Sequence, residues 1–194
     1  MQAVDDIDLI KQAQQGDVLA LETLLEKHYA FIYRVVLKFC GVVEDAEDIT
    51  QTVCLKLVDQ IAKFNFSASF TTWLYRVAIN ASKDHLRKKK RIGLREKSML
   101  DGFDFPQDSS DDERRKEIED LFQLVLLLPE KIKQAVLLVY SENLTHAEAA
   151  KVLDCSEGTV SWRISKGKKQ LVKLAKQHGI LLLSLLLLGA LLCR

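Results

Sequence analysis

Five aromatic residues, Phe64, Phe66, Phe70, Trp73 and Tyr75, crowd a short stretch of a 194-residue chain that is only 7% aromatic. Directly behind them come Asn80, Lys83, Asp84 and Arg87, then the run Lys88-Lys89-Lys90-Arg91. Rings beside cations are what an unpaired nucleic-acid strand needs. Bases stack on ring faces for about 1–3 kcal/mol each, while cations follow the phosphates. Asn65, between Phe64 and Phe66, belongs to the same segment. The competing use of these rings is ordinary core, and roughly half of them are expected to be buried whatever the segment does.

A second chemistry-bearing pattern lies near the C-terminus. Leu128-Pro129-Glu130 opens a helix whose apolar positions are Ile132, Ala135, Val136 and Val139. Thr145 with Glu148 three residues on spells a capping box before a short helix lined by Ala149, Ala150, Val152 and Leu153. Asp154-Cys155-Ser156 makes a turn, and residues 157–177 form the last helix, with Val160, Ile164, Gly167 and Leu171 inward. Ser156, Glu157, Thr159, Ser161, Trp162, Arg163 and Lys166 are left at its start or on its outer side. Two helices joined by a short turn, the second polar and basic, suit reading of base edges in a major groove. A solvated helical hairpin has the same pattern.

The elements that must position these residues are helical throughout. Residues 5–16 place Ile7, Ile10 and Ala13 on one face, Gly16-Asp17 breaks that helix, and Asp17 caps the next. Residues 18–40 carry Leu21, Leu24, Leu25, His28, Ile32, Val35, Val36 and Phe39 at helical spacing, and Gly41 ends the run. From Glu44 the stripe Ala46, Ile49, Val53, Leu57, Ile61 predicts another amphipathic helix. Its other face shows Asp45, Asp48, Gln51, Thr52 and Lys56, either solvated or an acidic docking face for a basic partner.

Composition bounds the rest. The chain is 48% apolar and 28% charged with 8 Gly and 2 Pro, a globular profile and not a disordered one. A net charge of +1 hides segregation: residues 83–97 and 160–176 are basic, while 101–113 contain acids and no base. Two basic blocks around an acidic stretch suggest two contacts with one polyanion. The reading is all-α, with a helical front domain over 1–97, an acidic linker over 98–116, a back domain over 117–178 and a C-terminal hydrophobic helix over 179–194. Cys40, Cys54, Cys155 and Cys193 form no C-x-x-C pair, and the four histidines, 28, 85, 146 and 178, are scattered. No metal or cofactor is expected, and no Gly-rich phosphate loop or nucleophile constellation supports an enzyme. No secretory signal is visible at the acidic N-terminus, which favours the cytoplasm.

Asp45-Ala46-Glu47-Asp48-Ile49-Thr50-Gln51, Phe64 and Phe70-Thr71-Thr72-Trp73-Leu74-Tyr75-Arg76-Val77-Ala78-Ile79-Asn80 with Asp84-His85-Leu86-Arg87 resemble region 2 of the bacterial sigma-70 superfamily. Leu128-Pro129-Glu130-Lys131, Leu144 through Ala150 and Glu157-Gly158-Thr159-Val160-Ser161-Trp162-Arg163 resemble region 4. Two such regions and little else are similar to the extracytoplasmic-function (ECF) group. The resemblance implies a non-enzymatic sigma factor that binds core RNA polymerase and promoter DNA and is held by an anti-sigma factor. It implies that Asp45, Asp48 and Gln51 dock the polymerase clamp. Phe64, Asn65, Phe66, Phe70, Trp73, Asn80, Lys83, Asp84 and Arg87 would capture the melted −10 strand. Ser156, Glu157, Thr159, Ser161, Trp162, Arg163 and Lys166 would engage the −35 duplex. The alternative is a stand-alone helix-turn-helix regulator, which would have no use for stacking platforms.

Residues 179–193 carry no charge. As a helix they would reach about 22 Å, short of the roughly 30 Å hydrocarbon core. Three uses compete: a short anchor in the inner membrane, a partner-binding helix, and a self-masking segment.

Overall fold

The computed structural model describes residues 5–92 and 112–177, and the chain divides into two compact units between residues 102 and 103. Among the described residues every regular element is helical.

The first unit contains α1 (Asp6–Gln14), α2 (Val18–Cys40), α3 (Val43–Gln60) and α4 (Phe70–Ile92), with a 3-10 turn at Ile61–Lys63. Local signals set its boundaries. Asp17 Oδ1 accepts from the N–H groups of Leu19 and Ala20 at 2.9 and 3.1 Å, filling two of the orphan donors of α2. Gly41 adopts φ +75°, and its N–H donates to the Leu37 carbonyl at 2.8 Å, closing the helix. Helix α2 is the hub and packs on α1, α3 and α4. Its Leu24, Ile32, Val35, Val36 and Phe39 are buried, as are Ile49, Val53 and Leu57 of α3 and Leu74 of α4, the helices it packs on. On α1 the buried face is Leu9, Ile10 and Ala13, while Ile7 is 45% exposed. At about 100° per residue Ile7 lies roughly a quarter turn off the face that Ile10 and Ala13 share, so Leu9 takes its place.

The second unit contains α5 (Asp112–Leu126), α6 (Glu130–Val136), a π turn (Leu137–Ser141), α7 (His146–Leu153) and α8 (Glu157–Gln177). Helix α8 is the hub, packed on α5, α6 and α7. Val160, Ile164, Gly167 and Leu171 are its buried stripe, as the spacing predicts. A Cβ on Gly167 would lie 2.8 Å from Val136 Cγ2 and 3.0 Å from Ile132 Cγ2, so α6 and α8 cross where only glycine fits without displacing a neighbour. The capping box at Thr145 and Glu148 is present in full.

One apolar stripe differs from its spacing. The α6 segment widens into a π turn after Val136, which brings Leu137 and Leu138 inside and leaves Val139 half-buried. Helix α5 begins at Asp112, within the last residues of the expected linker. The rest of that linker and the hydrophobic segment 179–194 lie outside the described residues.

Candidate nucleic-acid interface

Helix α3 separates its acidic residues by face. Asp45 is buried, with His85 Nε2 at 3.0 Å and Lys89 Nζ at 2.7 Å from its carboxylate. It therefore does not stand on the exposed docking face expected of it. The reason is α4, which brings an imidazole and an ammonium against that side of α3 and needs a carboxylate there, since buried charges must be paired. Asp48, Gln51 and Thr52 are exposed as expected. Between them and the end of the helix stand Leu55, 69% exposed, and Val58, 46% exposed. Leu55 shares the outward stripe of Asp48, Gln51 and Val58 at spacings of three or four. Sequence reasoning missed it; the signal was a leucine out of phase with the Ile49-Val53-Leu57 stripe.

The aromatic segment begins where the 3-10 turn closes, with the Phe64 N–H donating to the Ile61 carbonyl at 3.1 Å. It ends where the Ser69 hydroxyl accepts from the Thr72 N–H at 3.1 Å and caps α4. Phe64, Phe70 and Trp73 form one cluster, with ring centroids 5.5–5.6 Å apart. Phe64 and Phe70 are buried, as is Tyr75, which meets Phe31 at 4.9 Å. Phe64 and Phe70 thus cannot stack on bases as they stand; they are the floor of the segment. Phe66 is the exposed ring, 42% accessible, resting against Phe64 at 4.9 Å, and Trp73 is half-buried at the margin. Phe66 has φ +59°, a left-handed conformation that costs a non-glycine residue about 1 kcal/mol or more. Asn65 is exposed and its Oδ1 accepts from the Ser67 N–H at 3.2 Å.

One face of α4 continues from these rings. Asn80, Asp84, Arg87 and Lys88 are exposed along it. Lys83 is half-exposed and its Nζ donates to Asn80 Oδ1 at 3.4 Å. Asp84, Arg87, Lys88 and Arg91 line an open hollow in which three cations outnumber one carboxylate. Such a hollow attracts a polyanion.

In the second unit α7, the turn and α8 form the expected helix-turn-helix. Asp154 adopts φ +50° at the end of α7, and the Cys155 N–H donates to the Ala150 carbonyl at 3.1 Å. Ser156 is occupied as the cap of α8, accepting from the Thr159 N–H at 3.2 Å, with the two hydroxyls 2.8 Å apart. The Ser161 hydroxyl is held by His146 Nδ1 at 2.9 Å. These two serines thus brace the motif, which is a nearer use for their hydroxyls than a base edge. Arg163 is half-buried and its guanidinium donates to Cys155 Sγ at 3.7 Å. Glu157, Trp162, Lys166 and Lys169 are exposed. Trp162 is 58% exposed, and Lys166 Nζ sits 4.7 Å above its ring. Glu148 is held below the ordinary carboxylate range by hydrogen bonds from the Thr145 hydroxyl and backbone. Burial pushes the Cys54 thiol up, which keeps it protonated. No cluster of potential metal ligands occurs among the described residues, and no helix among them is long and apolar enough to cross a membrane.

The profile of sigma-70 region 2 matches residues 24–92, and that of sigma-70 region 4 matches residues 118–171. The RNA polymerase sigma-H factor of Pseudomonas aeruginosa is 30% identical over 178 residues, covering 87% of this chain and 92% of the relative. The ECF RNA polymerase sigma factor SigW of Bacillus subtilis is also 30% identical over 178 residues, covering 84% and 93%. Among solved structures, the sigma factor RpoE of Bartonella quintana in complex with the anti-sigma factor NepR superposes with a TM-score of 0.66 at 20% identity, covering 80% of this chain and 96% of that one. CnrH in complex with the cytosolic domain of CnrY gives 0.64 at 21% identity, covering 89% and 97%.

Proposed function

Because the chain belongs to the sigma-70 family, in its ECF branch, we propose that its surfaces divide the work of promoter recognition among named residues. The protein is a sigma factor, which binds core RNA polymerase and directs initiation at promoters. The polymerase supplies the catalytic chemistry and this chain supplies binding energy.

Asp48 and Gln51 dock the polymerase, with Leu55 as the apolar anchor between them and Val58. Interfaces draw most of their energy from a few such anchors ringed by polar groups. Phe66 and Trp73 offer rings to the displaced −10 strand, Asn65, Asn80 and Asp84 offer hydrogen bonds, and Lys83 and Arg87 hold phosphates. Phe64 and Phe70 support that surface from below. Opening DNA costs a few kcal/mol per unstacked base, and ring stacking returns part of it. Glu157, Thr159, Trp162, Arg163 and Lys166 face the −35 duplex, while Ser156 and Ser161 stiffen the motif. An anti-sigma protein is a further partner, in line with the complexes in which two structural neighbours were solved. The uncharged stretch 179–193 is assigned contact with the inner membrane by its composition. Full-length protein that stays in the supernatant with vesicles rejects that assignment.

The observation that carries the reading is the surface running from the exposed Phe66 and the margin of Trp73 onto the basic face of α4, on the same chain as a helix-turn-helix. A regulator of duplex DNA needs the second and not the first. The test is promoter opening with core polymerase from the same host. Core plus protein opens DNA where neither alone does. Duplex binding without polymerase, joined to no binding of core, would return the stand-alone regulator.

A further inference from the structure

Helix α1 lies outside the stretch matched to region 2, which begins at residue 24. It nevertheless bonds to the aromatic segment at one end and reaches it through His28 at the other. At its C-terminal end Gln14 Nε2 donates to the Phe64 carbonyl at 2.7 Å and to the Ile61 carbonyl at 3.0 Å. Both acceptors are backbone oxygens, so the amide orientation is fixed by chemistry: only its nitrogen can serve them. At the N-terminal end Asp6 accepts from His28 Nε2 at 3.1 Å and pairs with Lys27 at 2.8 Å. The His28 ring in turn meets Phe70 edge-on at 5.2 Å. The entry of the segment is thus tied to α1 through Gln14, and its exit is steadied through His28 by Asp6.

Between these two ties sits Phe66 in its left-handed conformation with its ring exposed. Such a backbone persists only where the surroundings over-determine it. The Gln14 bond to Phe64 does this one residue from Asn65 and two from Phe66, and it bridges 50 residues of sequence.

We infer that α1 is a brace for promoter melting and that Gln14 is a positioning residue, holding the Phe64 backbone so that Phe66 and Asn65 are presented to the unpaired strand. This rests on the sigma-factor reading of the segment. Gln14 touches no DNA; it acts through Phe66. The same constraint makes the segment ready before DNA arrives, so less ordering is needed at the moment of capture.

The experiment uses the full chain with core polymerase on a promoter selected from random DNA by the unaltered holoenzyme. Gln14→Met keeps the size and removes both N–H donors; Gln14→Lys keeps a donor of similar reach. The rate of strand opening is read from permanganate reactivity of unpaired thymines, beside core affinity and thermal unfolding. The expected result is opening about tenfold slower for Gln14→Met, the effect that one or two lost hydrogen bonds carry into a rate. Core affinity stays within about twofold, and Gln14→Lys recovers part of the rate. The double variant Gln14→Met with Phe66→Ala opens no more slowly than Phe66→Ala alone, because both act through one ring. Opening at the unaltered rate by Gln14→Met, or multiplication of the two defects, overturns the inference. If Gln14→Met unfolds, Gln14→Lys decides alone: it must fold and lose rate only where Phe66 is present. Failure of the unaltered chain to open any DNA with core sinks the sigma reading itself and is visible in the first control.

Discussion

Lys89 Nζ lies 2.7 Å from the buried carboxylate of Asp45, so a cation of the basic block on α4 is committed to the interior of the first unit. His85 meets the same carboxylate at 3.0 Å. The pair welds α3 to α4, the helix of the proposed docking stripe to the helix of the proposed −10 surface. Replacing Asp45 by Ala should cost about 2–4 kcal/mol, since it leaves the Lys89 ammonium and the His85 ring without their buried acceptor. Replacing Asp48 by Ala should leave stability within about 0.5 kcal/mol. Denaturant unfolding of both variants separates the two carboxylates that look alike in sequence. Equal, small losses would show that Asp45 is not the buried one.

Leu55 should behave in the opposite way. Leu55→Ser removes an exposed side chain, so unfolding moves little. Affinity for core polymerase should fall by roughly ten- to a hundredfold, the loss of about 1.5–3 kcal/mol of apolar burial. Titration of labelled protein into core measures it. An unchanged affinity would leave the α3 stripe without its anchor.

Gly167 sets two magnitudes against each other. Ala in its place gains about 1 kcal/mol of helix propensity. Its methyl would lie 2.8 Å from a Val136 methyl and 3.0 Å from an Ile132 methyl, on branched chains with little room to turn. Overpacking of this kind costs about 1–3 kcal/mol. Gly167→Ala should therefore lower the stability of the second unit, and Val136→Ala in the same chain should restore part of it. A more stable single variant would mean that α6 yields easily.

Trp162 exposes an indole on the outward side of α8, where a thymine methyl in the major groove is a fitting contact. With uracil in place of thymine across the −35 duplex, the holoenzyme should lose about 0.8 kcal/mol, or roughly fourfold in affinity, at the contacted position. Trp162→Ala should be insensitive to that exchange. Equal loss by both proteins would place the methyl contact elsewhere.

Asp6 predicts part of the acid sensitivity. Burial alone would raise its carboxyl, but hydrogen bonds and charge from Lys27 and His28 outweigh this and hold it below the ordinary value of 3.8. The unfolded chain then takes up the proton first. The contribution is full above that ordinary value and disappears as pH falls through the lowered one. Asp6→Asn should flatten this part of the acid unfolding curve and leave neutral pH behaviour of the other carboxylates alone. An identical acid limb in both proteins would show that the pair is solvated away.

Where helix caps and stripes agree, sequence reading reached the fold almost residue by residue. Asp17, Gly41 and Thr145 each cap as their types and places predict, and Val160-Ile164-Gly167-Leu171 is the buried stripe of α8. Contacts between elements are the part that one sequence does not carry. Asp45 takes a face that its own helix does not decide, and Phe64 and Phe70, expected at the −10 strand through the resemblance, lie inside among rings and an imidazole that folding assembles. Asp45 goes inside because His85 and Lys89 are there to receive it. Phe64 and Phe70 go inside because Trp73 and His28 complete their cluster. Gln14, polar and on a helix outside the matched region, carries no signal in one sequence; only folding brings it to Phe64.

The commitment of Lys89 to Asp45 has a consequence for how this protein responds to ions. Each phosphate neutralised by a cation releases condensed counterions, and the slope of log affinity against log salt steepens by about 0.9 per contact on duplex and about 0.7 on single strands. Lys89 already has its counter-charge inside the fold. The slope contributed by the basic block of α4 should therefore run one contact short of the cations it carries. A salt titration would see Lys88→Ala reduce that slope and Lys89→Ala spare it, even though the two lysines are adjacent in sequence.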